Sequence, residues 1–379
     1  MNTPNLPCKS FYGYGYFGVQ FTAECACFRL LEPNADCVFL TGDFCDWQSG
    51  VPMTRDAEGV WECVMPRETL FDGCKYKYRA VMRDGSERFI ADPYEMRNEE
   101  HGGFASVVCD INTYRWRDAT WIEYREKYKQ KICSNPLSIY KFSADLWCAK
   151  MGGMRSYAQL SAEIAPYVKQ LGCTHVQLAS VLASSSISRF APRTFGGHPT
   201  ELMAFVDSMH EAGLGVIFEL PIFDGQAAYT ADSCAFWLDK YHADGLCILD
   251  QTPSEYIIAD LKERFSYAIF ICSESNYADG FDLILTSKPD RINARPLPLC
   301  SYEAFAWDSP ANIGAMRLAF ERLMASPCKK LIVMGYEIGQ AGAECDGGVD
   351  WSLLCRDEHV EFQRYASELG QSYLSKPQT

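Results

Sequence analysis

The chain has 379 residues, enough for two domains or for one large domain with an appendage. Its 48% apolar and 22% charged residues are those of an ordinary globular protein, which argues against extensive disorder. A formal net charge of −14 disfavours nucleic acid, anionic membranes and phosphate-rich partners, and leaves a neutral ligand or none.

The first residues, MNTPNLPCKSFYGYGYFG, lack a basic region followed by an apolar core, so no signal peptide is expected. No apolar run approaches the roughly 20 residues that span a bilayer. A cytoplasmic protein with no membrane partner is the expectation. The 18 cysteines include no C-x-x-C pair, and several, such as Cys247, Cys272 and Cys300, fall inside predicted strands. The six histidines are not clustered. Reduced, mostly buried thiols are therefore expected, with no metal and no cofactor.

Residues 1–112 read as short strands broken by Pro, Gly, Asn and Asp clusters: GVQF from Gly18, VFL from Val38, GVWECV from Gly59 and KYKYRAV from Lys75. That rhythm predicts a small antiparallel β-sandwich of immunoglobulin type. A charged, aromatic stretch, Tyr114 to Lys131, lies in a linker expected over 113–135. From Pro136 the rhythm becomes strand, helix, strand. Apolar runs begin at Ser138, Thr174, Gly215, Gly245, Ala268, Phe281, Pro296 and Lys330. Eight such strands over 136–379 predict a (β/α)8 barrel of the TIM type, whose usual size is about 250 residues. Leu160, Ile164, Tyr167, Val168 and Leu171 share one face of a helix predicted between Ser156 and Leu171. Leu202, Phe205, Val206 and Met209 do the same in the next, closed by Gly213. The gaps after the fifth and sixth strands are too short for full helices, so the barrel is pared down there. SVLASSSIS (180–188) reads as a loop.

Several stretches resemble a known family. GDFCDW (Gly42 to Trp47), GVWE (Gly59 to Glu62) and ADPY (Ala91 to Tyr94) are similar to the glycogen-binding-type module that precedes the barrel in branching enzymes. NPLSIY from Asn135, APYVKQLGCTHVQL from Ala165 and EAGLGVIFEL from Glu211 resemble the barrel of 1,4-α-glucan (glycogen) branching enzymes, in glycoside hydrolase family 13. So do FWLDKYHADGL from Phe236, KKLIVMGYEIGQ from Lys329 and VDWSLL from Val349, all in family order. The resemblance also implies a C-terminal β-domain, but 136–379 is expected to hold the barrel without one.

The family's chemistry, as the resemblance implies it, needs an aspartate nucleophile, a glutamate acid/base and a second aspartate at the ends of barrel strands. A retaining glycosidase holds its two carboxyl groups about 5–5.5 Å apart across the sugar bond. Where the family pattern resembles D-G-L-R-V-D, the chain has Asp244-Gly245-Leu246-Cys247-Ile248-Leu249, with Cys247 for the arginine and Leu249 for the nucleophile. Ser273 stands where the acid/base belongs, and Ser301 and Tyr302 replace a histidine and an aspartate that hold the sugar. Glu219 takes the place of the third strand's aspartate, and Cys345 that of a loop tryptophan. No catalytic residue of the family is thus expected, and a degenerate, non-catalytic relative is the first reading. The alternatives are an active enzyme using displaced carboxylates, drawn from Asp250, Glu274, Glu303 and Glu219, and a non-catalytic scaffold. Asp250 follows Leu249 by one residue, so alternation along the strand aims it away from the sugar. Glu337 and Trp351 are expected to brace the barrel. In the module, Trp47, Lys77 and Phe89 resemble sugar contacts. A flat ring can cover a glucose face and a lysine can donate to its hydroxyls, with α-glucan as the partner. Trp47 also fits as a plain part of its turn.

Overall fold

The computed structural model describes residues 13–99, 103–183, 188–221, 227–249, 255–277, 279–289, 296–305, 312–340, 342–343 and 347–375. The chain divides into two compact units, one of Met1–Arg115, Leu182–Leu202 and Ala228–Trp237, the other of Trp116–Val181, Met203–Ala227 and Leu238–Thr379.

Among its described residues the first unit contains nine strands: β1 (Gly18–Phe21), β2 (Cys25–Leu31), β3 (Ala35–Gly42), β4 (Val51–Pro52), β5 (Thr54–Arg55), β6 (Val60–Pro66), β7 (Lys75–Met82), β8 (Glu87–Ile90) and β9 (Ser106–Val107). They pair antiparallel in two sheets, β1-β2-β6-β5 and β4-β3-β7-β8, with β9 also on β7. Strict alternation sets the faces. Tyr76, Tyr78, Ala80 and Met82 of β7 point inward, and they meet Phe28, Leu30, Leu40 and Trp61 in one apolar cluster. Asp92 of the ADPY stretch is fully buried among them. It accepts hydrogen bonds from the Tyr76 hydroxyl at 2.8 Å and the Tyr78 hydroxyl at 3.0 Å. Burial pushes its carboxyl up to about 6 despite those bonds and one from the Tyr94 amide. Of the Ser-rich stretch, residues 184–187 lie outside the described set, while Leu182 bridges to Pro192 and the Ala183 amide donates to the Ala191 carbonyl.

The second unit is a closed parallel barrel. Its strands are β10 (Ser138–Ser143), β11 (His175–Ala179), β12 (Gly215–Glu219), β13 (Gly245–Ile248), β14 (Ile269–Ser273), β15 (Leu283–Leu285), β16 (Leu297–Ser301) and β17 (Lys329–Val333). Helices α2 (Ala144–Cys148), α3 (Tyr157–Gln170), α4 (Pro199–Glu211), α5 (Ala227–Lys240), α6 (Glu255–Arg264), α7 (Ile313–Ala325) and α8 (Asp357–Ser375) follow the strands. Among the described residues no α-helix lies between β14 and β15, where only the short 3-10 turn Glu274–Asn276 is found, or between β15 and β16. Helix α3 starts at Ser156, whose hydroxyl accepts from the Gln159 amide while the Gln159 side chain accepts from the Ser156 amide, a reciprocal cap. The predicted apolar faces hold: Leu160, Ile164 and Val168, then Leu202, Phe205, Val206 and Met209, are buried.

The stretch expected to bridge the halves contains a further helix, α1 (Ala119–Gln130). Its buried face is Trp121, Arg125 and Tyr128, which explains why an aliphatic periodicity does not reveal it. Asp244, just before β13, accepts from the Trp121 indole at 2.8 Å and pairs with Arg125 at 3.5 Å. His210 of α4 joins Asp118 and Asp244, with both ring nitrogens 2.9 Å from a carboxylate oxygen. Burial alone would raise Asp244, but His210 and Arg125 hold its carboxyl well below the usual range.

Candidate functional site

Residues opposite one another in the barrel register share a face. Lys141, Gln177 and Ile217 form one level, and Glu219, Cys247 and Ile271 the next. Lys141 Nζ lies 3.3 Å from Glu219 Oε2 although β11 separates their strands. Gln177 of β11 donates its Nε2 to the same oxygen at 2.8 Å. Side chains can meet across an intervening strand in this way only on the concave face, so this set points into the barrel. Burial, with the Glu219 charge adding to it, pushes the Cys247 thiol well above its ordinary value. Gln177 Oε1 is buried without a hydrogen-bond partner. The sequence singled out Glu219 and Cys247 but gave no sign that Lys141 and Gln177 would meet them. Only the register reveals that layer.

Alternation carries the inward set one step up, to Leu249, Ser273 and Ser301 at the strand ends. These are the positions where the family resemblance calls for acids or a histidine. The Ser273 hydroxyl lies 2.9 Å from the Ser275 hydroxyl and 3.4 Å from the Leu249 carbonyl. Tyr302 is 3% exposed, with its ring edge-on to Tyr336 at a centroid distance of 4.6 Å. Glu274, one residue past inward Ser273, is exposed and accepts from the Thr286 hydroxyl. Asp250, the Glu303 side chain and Cys345 lie outside the described residues.

The two described candidate carboxylates stand apart. Glu219 is level with Ile271, and Glu274 is three residues further on and two strands across. At about 3.3 Å per residue and about 4.8 Å per strand, their backbones are on the order of 14 Å apart. A retaining pair needs about 5–5.5 Å between carboxyl groups, and each of these two already has its own partners.

Glu337 lies away from the inward face. It is fully buried, and one oxygen accepts from the Tyr140 hydroxyl at 2.7 Å and the Tyr167 hydroxyl at 2.8 Å. The Trp351 indole donates to the Trp147 carbonyl at 3.0 Å. Both residues tie barrel strands and loops together.

On the first unit, Lys77 and Phe89 share the outward face of the sheet containing β7 and β8. Phe89 pairs with Arg79, two residues along from Lys77. Phe89 is 58% exposed and Lys77 half-buried. The Arg79 guanidinium covers the Phe39 ring at 4.5 Å on the same face. Trp47 sits in the turn after β3 with φ of +61° and is 37% exposed. Its indole donates to Asp43 Oδ1 at 2.8 Å, and Asp43 Oδ2 accepts from the Lys75 amide at 2.8 Å. The turn thus fixes the ring's edge and leaves part of its surface to solvent.

A family model, carbohydrate-binding module 48 (isoamylase N-terminal domain), matches residues 16–95. A 1,4-alpha-glucan branching enzyme of Lactiplantibacillus plantarum is 32% identical over 62% of this chain and 44% of that protein. One from Bordetella pertussis is 26% identical over 93% of this chain and 65% of that protein. The chain thus spans less than two thirds of the length of either relative. A pullulanase of Paenibacillus barengoltzii, solved with maltotetraose, superposes with a TM-score of 0.73 at 15% identity, covering 95% of this chain and 81% of that one. A Bacillus acidopullulyticus pullulanase gives 0.70 at 14% identity, covering 98% and 64%. At those identities the likeness is one of fold. Among the described residues no helix is long and apolar enough to cross a membrane.

Proposed function

From the premise that this chain is a branching-enzyme-like homologue within glycoside hydrolase family 13, we propose that it binds α-glucan through its N-terminal module and performs no glucosyl transfer at its barrel mouth. The observation that carries this reading is the set of inward positions at the strand ends, Leu249, Ser273 and Ser301, none of which can act as an acid. Among the described residues, the inward carboxylate beneath them is Glu219, held by Lys141 and Gln177. Glycosyl transfer needs one anion to attack the anomeric carbon and one acid to protonate the leaving oxygen. Losing a single essential group can cost roughly 10⁴-fold in rate, about 5–6 kcal/mol of barrier. A protein with neither group keeps the polymer-holding part of the family's work. The free thiols fit a reducing, cytoplasmic setting.

The exposed ring of Trp47, with Phe89 and Lys77, supplies the binding chemistry: flat apolar surface for a glucose face and a cation for its hydroxyls. Calorimetric titration with glycogen and maltooligosaccharides tests it, with Trp47→Ala expected to weaken binding about tenfold, the cost of about 1.4 kcal/mol. Wild-type binding no tighter than to an unrelated polysaccharide would leave a scaffold role. Iodine-stain branching and oligosaccharide hydrolysis assays test the catalytic half. Turnover that vanishes in Glu274→Gln would establish an enzyme with displaced carboxylates instead.

A further inference from the structure

Away from both places just described, the first unit gathers three side chains of metal-ligating type from distant parts of the chain. We propose that Asp72, Cys109 and His198 form a binding site for a zinc-class divalent cation.

The geometry is close to what such an ion requires. Cys109 Sγ lies 3.3 Å from His198 Nε2, and the same nitrogen lies 3.4 Å from Asp72 Oδ1. All three ligand atoms fall within 4.8 Å of one another. Zinc binds thiolate at about 2.3 Å and imidazole or carboxylate at about 2.0–2.2 Å, so tetrahedral neighbours sit about 3.3–3.7 Å apart. Small side-chain rotations bring the present atoms onto that figure.

Backbone structure positions the ligands without help from a metal. The Gly73 amide donates to the Val108 carbonyl at 3.2 Å and the Val108 amide to the Cys74 carbonyl at 2.8 Å, which sets Asp72 beside Cys109. Arg97 donates to the Gly197 carbonyl at 3.3 Å, next to His198, and reaches Asp72 Oδ2 at 3.5 Å, leaving Oδ1 toward the imidazole. His198 Nδ1 lies 2.7 Å from the Thr200 hydroxyl. The Thr200 amide also donates to Nδ1 at 3.2 Å, and the two contacts hold Nε2 toward the thiol. Cys109 is buried, His198 half-buried and Asp72 exposed, so a cation and a completing water can enter from the Asp72 side.

A thiol binds such a cation as its thiolate. On binding, the Cys109 S–H bond breaks, its proton passes to solvent and the sulfur's electron pair goes to the metal, so binding tightens as pH rises. The bound ion would join the turn before β7, the segment after β9 and the start of α4 within one unit.

The test uses the whole chain, stripped with chelator and titrated with zinc alone by calorimetry, then with cobalt(II) as a spectroscopic substitute. One tight equivalent is expected, with a near-ultraviolet thiolate-to-cobalt band. Cys109→Ser removes the band, and His198→Ala weakens binding by more than the roughly 10–100-fold expected for Thr200→Ala, since an outer partner costs less than a ligand. Circular dichroism of the metal-free variants separates loss of a ligand from loss of fold. Wild-type zinc binding equal to that of correctly folded Cys109→Ser, or an unchanged cobalt band in that variant, overturns the proposal. Trp47→Ala leaves zinc binding intact, so this result is independent of the glucan reading.

Discussion

If the barrel mouth lacks only its anions, restoring two of them should restore chemistry. Ile248 and Cys272 are partners in register, so Leu249 and Ser273 form the next pair up, both pointing inward. Neighbouring strands are about 4.8 Å apart, which places carboxyl groups at these two positions near the 5–5.5 Å separation of a retaining pair. The 3.4 Å contact between the Ser273 hydroxyl and the Leu249 carbonyl fits that closeness. The double variant Leu249→Asp/Ser273→Glu should therefore hydrolyse maltooligosaccharides measurably, while each single variant stays at background. Each missing group costs roughly 10⁴-fold and the two act as a unit, so a gain of at least about tenfold over either single variant is the expected mark. Cys247 and Tyr302 keep that gain far below a natural enzyme's rate. The assay is reducing-end release, with circular dichroism confirming the fold. A folded double variant as inert as the singles refutes the geometric claim, and wild-type turnover abolished by Glu219→Gln refutes the inactive reading altogether.

Three further outcomes follow from buried polar groups. Asp92 is raised from about 3.9 unfolded to about 6 folded, so its stabilising contribution is present below about pH 4 and lost as pH rises through about 6. Wild type should gain about 2 kcal/mol over Asp92→Asn between pH 7 and pH 4, read by urea unfolding with hydrogen exchange at β7; a flat difference contradicts it. His210→Ala leaves the Asp118 and Asp244 charges without their shared partner and should destabilise the barrel unit by about 3–5 kcal/mol. Burial lowers the His210 pKa but the two aspartates outweigh it and raise it above the ordinary value. The histidine's contribution is thus full below about pH 6.5 and declines as pH climbs through the raised value. The variant should lose that alkaline slope in unfolding experiments run from pH 6 to 9. Tyr167→Phe removes one of two donors to buried Glu337 and should cost about 1–2 kcal/mol in the same measurement.

The eight barrel strands, four strands of the module and helices α3 and α4 could be read from local pattern. Alternation along β7 and the mostly apolar runs of β10 to β17 report which sides of a strand meet water, a property each segment carries alone. The apolar faces of α3 and α4 are legible for the same reason. Helix α1 is not, because Trp121, Arg125 and Tyr128 become a buried face only when Asp244 and the His242 carbonyl receive them. The vacated positions Leu249, Ser273 and Tyr302 were visible as residue types, but their neighbours were not. Lys141, Gln177 and Glu219 converge across three strands, and Asp72, Cys109 and His198 across more than a hundred residues of chain. Spacing along a chain encodes which residues share a helix face or a strand face. Which charges and ligands come within bonding distance is decided when closure of a barrel or pairing of a sheet brings remote segments together.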